Sequence, residues 1–408
     1  MRIQKLIEEL CIFKNRVSSS ENEYRAARHI YQLMRSIGLV VNIDVFKSQQ
    51  RYAWELSFIT TFFLTQAILY FIHPLASIIV GLTGFVLFWG HFTTRFKPLS
   101  SLFRFSKSHN VVGRSQNSDA PFKIIFTAHY DTARSGPLWN PKNVGKFRFN
   151  FLLGLFVILA LQLLSVLSYF EISNIITTIL VALFGVHILG QIIVLIYSGI
   201  TGEPVQGASD NASGAAVMLD LATRIKKKSF PEIEFWFVAT GSEEVGAIGM
   251  ADFLKTYSDE FEKENTFFIN FDNIGSGNLH YYLGEGMLNF YKFSPKLIYA
   301  AQRTSENEKL KQVTPAKYKL AYTDAIVPAS RGYETILFLA TDDNDQIPNW
   351  HWHTDTIENI NYKIPKLTSD FCLEMIQTLH KDFKQIIQED IEKRKQFRAE
   401  PEEWEDEE

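Results

Sequence analysis

Two cysteines in 408 residues, Cys11 and Cys372, are too few for a disulfide framework or a thiolate metal site. They fit a reducing compartment without requiring one. A basic excess is lacking as well. The formal net charge is −4 with the two signs interleaved, so no nucleic-acid partner is expected. The opening stretch, MRIQKLIEELCIFKNR, is charged throughout and has no apolar core of a cleavable signal peptide. Charge itself is missing elsewhere. Leu56–Thr94 contains no Asp, Glu, Lys or Arg, and the same holds for Phe149–Phe170 and, beyond Glu171, for Ile172–Gly202.

At about 1.5 Å per helical residue, Leu56–Thr94 spans roughly 58 Å, two crossings of a ~30 Å hydrocarbon core. His73-Pro74 sits in the middle as the turn, and Glu171 interrupts the second stretch in the same way. Core helices of soluble proteins carry one apolar stripe, whereas these are apolar all round. The pattern predicts four transmembrane helices in two hairpins, at residues 53–94 and 149–202. The short turns near His73 and Ser173 lack Lys and Arg, while the other flanks carry Lys47, Arg51, Arg95, Lys97, Lys142, Lys146 and Arg148. The positive-inside rule then places both termini and the hydrophilic sequence in the cytoplasm. The expectation is a multi-pass integral membrane protein with the lipid bilayer as a partner. His187, inside the fourth span, is a functional candidate by position. No partner for it is visible, and a structural role is favoured.

The remaining sequence alternates strand and helix. Glu21–Ile37 reads as an amphipathic helix, with Ser18–Ser20 as N-cap and Gly38 as C-cap. Val40–Phe46 and the NVVGR segment read as strands, and Lys123–Thr127, Glu234–Ala239 and Thr266–Phe271 as buried parallel strands. Helices are expected at Ser213–Lys226, Gly246–Tyr257, Met287–Thr304 and from Lys366 to about Phe397. That alternation argues for an α/β sheet covered by helices. Residues 1–52, 95–148 and 203–397 would form one discontinuous domain, and 398–408 a disordered acidic tail.

Open α/β sheets bind ligands beyond the carboxyl ends of their strands. His129 and Asp131 follow one expected strand, Glu243 and Glu244 another, and Asp272 ends a third. Asp210 precedes a helix, and NWHWHTDT supplies His351 and His353. Histidine with several carboxylates is a nitrogen–oxygen set suited to zinc. Of two adjacent glutamates, one can bind metal while the other takes a proton from water. Asp131, two residues from His129, can orient it. Singly, each feature has a bland explanation, such as a solvated Glu pair or a helix-capping Asp. Their joint order is harder to dismiss.

The succession HYD, GASDNASGAAVMLDLA, GSEEVGAIGM, NFDNIG and HWHTDTIENI resembles the M28 family of zinc aminopeptidases. The resemblance covers the whole hydrophilic part and implies a mixed, mainly parallel sheet holding two Zn2+ ions. By that likeness His129 and Asp272 hold one zinc, Glu244 and the C-terminal His the other, and Asp210 bridges both. Glu243 matches the general base and Asp131 the residue orienting the first His. Counting four residues back from Asp355 favours His351 as the ligand, whereas the His-Thr pairing favours His353. The stretch from His129 to Asp210 is far longer than the family pattern, and the second hairpin accounts for the excess. Tyr322-Thr-Asp324 falls where the family has a Ser-Asp-His segment, with Ala325 in place of the His, and Tyr318 or Tyr322 could assist an oxyanion or simply pack. The implied function is hydrolysis of N-terminal peptide bonds in peptide substrates. Three alternatives stand beside it: a single-zinc, glutaminyl-cyclase-like enzyme, an inactive membrane scaffold, and a transporter. The complete ligand set disfavours the first two, and the scarcity of intramembrane charge disfavours the third.

Overall fold

The structure is a computed structural model that describes residues 2–399. The chain opens with helices α1 (Arg2–Cys11) and α2 (Glu21–Ile37), then strand β1 (Val40–Ser48). Helices α3 (Tyr52–Leu69) and α4 (Pro74–Phe92) lead to β2 (Ser106–Arg114) and β3 (Phe122–His129). A short α5 (Pro141–Val144) precedes α6 (Phe147–Tyr169) and α7 (Ile175–Thr201). Next come α8 (Gly214–Ile225), β4 (Ile233–Thr240), α9 (Ile248–Tyr257), β5 (Thr266–Asp272), β6 (Asn278–Glu285) and β7 (Tyr291–Lys292). The last elements are α10 (Pro295–Ser305), β8 (Thr314–Tyr318), α11 (Ile326–Ser330), β9 (Glu334–Thr341) and α12 (Lys363–Ala399). The tail expected at 398–408 lies almost wholly outside the described residues.

One sheet runs β1-β2-β4-β3-β5-β9-β6-β7, with β8 beside β6. Its centre is parallel: β4 with β3, β3 with β5, β5 with β9. Its flanks are antiparallel except where β8 runs parallel beside β6, so the sheet is mixed and mainly parallel at its core. Because β1 and β4 both run against β2, β1 points the same way as the central strands. The carboxyl ends of β1, β3, β4, β5 and β9 therefore share one edge.

Every residue of β4 and β5 is buried, as expected of strands covered on both faces. Successive side chains alternate between faces. Phe126, Phe237, Phe271 and Phe338 pack in a core with α1, α2, α8, α10 and α12. Ile125, Trp236, Val238 and Phe268 meet α9 and α11 on the opposite face. Helix α2 is capped as expected. The Ser20 side chain accepts the Glu23 N–H, and Gly38 adopts φ 89°, where a side chain would be strained.

Helices α3, α4, α6 and α7 form a separate bundle, packed through Phe63, Leu161, Val181 and Ile188. Three of them, α4, α6 and α7, are long and apolar enough to cross a membrane. Helix α3 carries Glu55 and Gln66 and falls short of that composition. Gln66 Nε2 donates to Gln162 Oε1 (2.8 Å) and Ser165 Oγ (3.2 Å), making a polar layer among apolar helices. His187 lies within 3.2 Å of Gln191 one turn on, so its visible partner is local.

One expected element is corrected. Met287–Thr304 is not one helix: its first part turns back to form β7 against β6, and α10 starts only at Pro295. Ser294 caps that start through the Leu297 N–H, and Pro295 occupies the first turn, where its missing N–H costs nothing.

Candidate metal centre

Both hairpins leave and re-enter at the carboxyl edge of the sheet. Helix α3 starts just past the end of β1, and α7 ends shortly before the irregular turn Ala208–Ser213. The side chains singled out in the sequence gather at that edge.

His129 ends β3, and its Nε2 lies 3.2 Å from Asp210 Oδ1 and 3.6 Å from Asp272 Oδ1. His351 Nε2 lies 3.1 Å from Asp210 Oδ2 and 3.1 Å from Glu244 Oε2. Asp210 thus offers one carboxylate oxygen to each histidine. Ligand-type atoms of His129, Asp210 and Glu244 lie within 4.8 Å of one another. Glu243 Oε2 sits 3.9 Å from His129 Nε2. His353 stays outside the cluster, exposed and beside Trp352. Trp139 packs edge-on against the His351 ring, with 4.3 Å between centroids.

Backbone hydrogen bonds hold these groups in place. Asp131 Oδ1 accepts the Glu243 N–H (3.0 Å) and Oδ2 the Glu244 N–H (3.2 Å). Its contact with His129 Nδ1 is longer, at 3.5 Å, while that nitrogen is 3.2 Å from the Asp131 carbonyl oxygen. The Asp131 carboxylate therefore fixes the two-glutamate loop as well as facing the histidine it was expected to orient. Asp355 plays the matching part on the other side, accepting the Ser209 N–H (2.7 Å) and the Asp210 N–H (3.1 Å). Asn211 ties the same turn to the end of β5 by donating to the Phe271 carbonyl (2.8 Å). Gly207 there has φ 65°, and an added Cβ would fall 2.3 Å from Thr132.

Several contributors carry no signal in the sequence. Arg16 is fully buried and donates to the carbonyls of Tyr130, Gln206 and Gly207, joining the strand end after His129 to the turn before Asp210. The base of the first hairpin grips the glutamate loop. Gln49 Nε2 donates to the Val245 carbonyl (3.1 Å), Lys97 Nζ to the Gly246 carbonyl (2.8 Å), and Ser48 Oγ to Ser242 Oγ (2.8 Å). Tyr52, at the start of α3, hydrogen-bonds the Tyr322 hydroxyl beside the cluster.

The electrostatics call for cations. Burial pushes the Glu243 carboxyl well above the usual range, and the neighbouring Glu244 and Asp324 carboxylates raise it further against the pull of His129. Burial likewise lifts Glu244 to about 7 against the attraction of His351, and Asp324 to about 7. Burial would raise Asp210 too, but His129 and His351 hold it far below the usual range. Glu244 Oε1 is buried with no hydrogen-bond partner among the described residues. Two imidazoles, crowded carboxylates and a buried unpaired oxygen are a donor set that fits a dication of the zinc type.

Residues 193–376 match the model for "Peptidase family M28". Over 81 residues the chain is 42% identical to the alkaline phosphatase isozyme conversion protein of Escherichia coli K12, a match covering 20% of this chain and 23% of that protein. The chain thus spans less than a quarter of the length of the curated relatives it matches. Among solved structures, a zinc aminopeptidase from Bacillus subtilis aligns with TM-score 0.55 at 14% identity, over 92% of this chain and 93% of that one. A glutaminyl cyclase from Bacteroides thetaiotaomicron aligns with TM-score 0.56 at 14% identity, over 92% and 96%. At such identities the structural likeness speaks for the fold. The family match covers residues 193–376, under half of the chain, and marks that part as similar to peptidase family M28.

Proposed function

We propose that the protein is a membrane-anchored dinuclear zinc aminopeptidase that removes N-terminal residues from peptides. The observation that carries this reading is Asp210, whose two oxygens face His129 and His351 at 3.2 and 3.1 Å, as a carboxylate bridging two metals would. His129 and Asp272 would hold one zinc, and His351 and Glu244 the other. When bound, the pair would supply Lewis-acid polarisation of the scissile carbonyl and acidify an attacking water. Glu243 takes the proton from that water and returns it to the leaving amine. Asp131 keeps Glu243 and Glu244 in register, and Asp355 does the same for Asp210.

The catalytic domain in this reading is residues 1–52, 95–148 and 203–397, interrupted by four membrane-spanning helices, α3 included, and it faces the cytoplasm. Elemental analysis of the purified protein, with hydrolysis of an aminoacyl substrate panel, tests the chemistry. About two zinc ions per chain and activity lost to a chelator are expected. One tightly bound zinc at full activity would favour the cyclase-like alternative, and a metal-free inactive protein the scaffold. Impermeant thiol labelling in intact cells tests the orientation: cysteines placed near His73 or Ser173 should react, and one placed on the hydrophilic part should not.

A further inference from the structure

The cavity at the metal centre continues past it into the helix bundle. It holds about 250 Å³, with Glu243, Glu244 and Asp272 on one wall. The far wall includes Leu56 from α3, Phe92 from α4, Phe151 from α6 and Leu195 from α7, so every helix of the bundle contributes to it. All four lie within about two turns of the helix end nearest the sheet, so the cavity enters the bundle only at its near end. Helix α7 has 27 residues, about 40 Å, long enough to cross a ~30 Å hydrocarbon core. A wall within two turns of these helix ends would then lie near one surface of a bilayer that the bundle spans.

A site fed only from water has no need of a wall built by all four membrane helices. On the reading that this is a peptidase, we propose that its substrate is membrane-borne: an apolar peptide held by the bilayer, its free N-terminus at interfacial depth. The terminal amine and scissile bond would meet the carboxylate wall, and the first side chains would lie against Leu56, Phe92, Phe151 and Leu195. Burying one such side chain would favour an apolar N-terminal residue by roughly ten- to a hundredfold. The rim residues Arg51 and Arg134 also line the cavity and suit a layer of anionic headgroups.

The test uses the full chain, loaded with zinc, in lipid vesicles and two peptides sharing the same Leu-first N-terminal segment. One ends in a polar tail, the other in an apolar helix that keeps at least about 90% of it on the vesicles. A site supplied from water would reach only the free fraction and cleave the tailed peptide about tenfold more slowly. The expected result is the reverse, at least about tenfold faster cleavage of the tailed peptide. Phe151→Ser and Leu195→Ser should pull that ratio back toward one by raising KM for the tailed peptide more than for the soluble one. Slower or equal cleavage of the tailed peptide by the wild type would overturn this inference and leave the peptidase reading standing. Cleavage of neither peptide would take both down.

Discussion

Along the carboxyl edge of the sheet, Asp131, Asp210, Asp272 and Asp324 are at most 4% exposed, while in the helix bundle Ile175, Val186 and Phe170 are 65–72% exposed. One region buries charge and the other displays hydrocarbon, the reverse of what water alone would favour in each. Each reversal indicates what the surroundings must supply. Crowded carboxylates need cations to stay ionised together, and a belt of exposed aliphatic side chains needs an apolar phase to cover it. The two regions meet at the base of the first hairpin, where Gln49, Tyr52 and Lys97 reach the glutamate loop and Tyr322.

The comparison can be broken most severely at the charged edge. Glu243→Gln should lower kcat by roughly 10²–10⁴ with zinc content unchanged, because it removes the base and no ligand. Activity within tenfold of wild type, measured on any aminoacyl substrate the protein cleaves, would show that Glu243 is not the base. His351→Ala should lose about one of two zinc ions along with most activity, while His353→Ala keeps both ions. Elemental analysis of the two variants side by side decides this, and the opposite pattern would make His353 the ligand. Asp355→Asn should have a smaller effect, about 10–100-fold on metal affinity, as is typical when a group that orients a ligand is altered. A chelator titration reads that shift. An unchanged affinity would mean that the backbone alone holds Asp210.

How legible each region was in the sequence follows from the length scale of its signal. The long apolar helices were readable because charge is absent over most of their length, Glu55 in α3 and Arg148 in α6 lying at their ends, and the strands before His129, Glu243 and Asp272 because each is a short run of β-branched and aromatic residues. The ligand-type residues could be named because each sits at a strand end or in a short motif. The partnerships at the site could not be named. Nothing around Arg16 announces that its guanidinium will cap three carbonyls from distant segments, and Tyr52 reads as the last residue of the segment before the first hairpin, with nothing to mark it as a neighbour of Tyr322. Asp355 served in the sequence only as a marker for counting back to His351, yet its carboxylate fixes the Asp210 turn. Met287–Thr304 was read as one helix, whereas Pro295 marks where α10 begins.

The smallest expected effect lies in the bundle and asks whether its interior is as purely apolar as its surface. Gln66 is fully buried, and its Nε2 donates to Gln162 and Ser165. Ser165 has other partners, since its hydroxyl meets Ser77 Oγ (2.9 Å) and donates to the Leu161 carbonyl (2.9 Å). Gln66 Oε1 has no hydrogen-bond partner among the described residues, so the wild type already carries one unsatisfied acceptor. Hydrogen bonds between membrane helices average only about 0.6 kcal/mol. Gln66→Leu removes two of them, leaves Gln162 Oε1 without this donor, and deletes the unsatisfied oxygen. These terms nearly offset, so stability in a detergent-denaturation titration should change by about 1 kcal/mol or less. Leu161→Ala, which opens a cavity in the same layer, should cost about 2–5 kcal/mol. If Gln66→Leu proved the more damaging of the two, the polar layer would be the main determinant of the bundle's packing, and the contrast between a charged edge and an apolar bundle would fail at its centre.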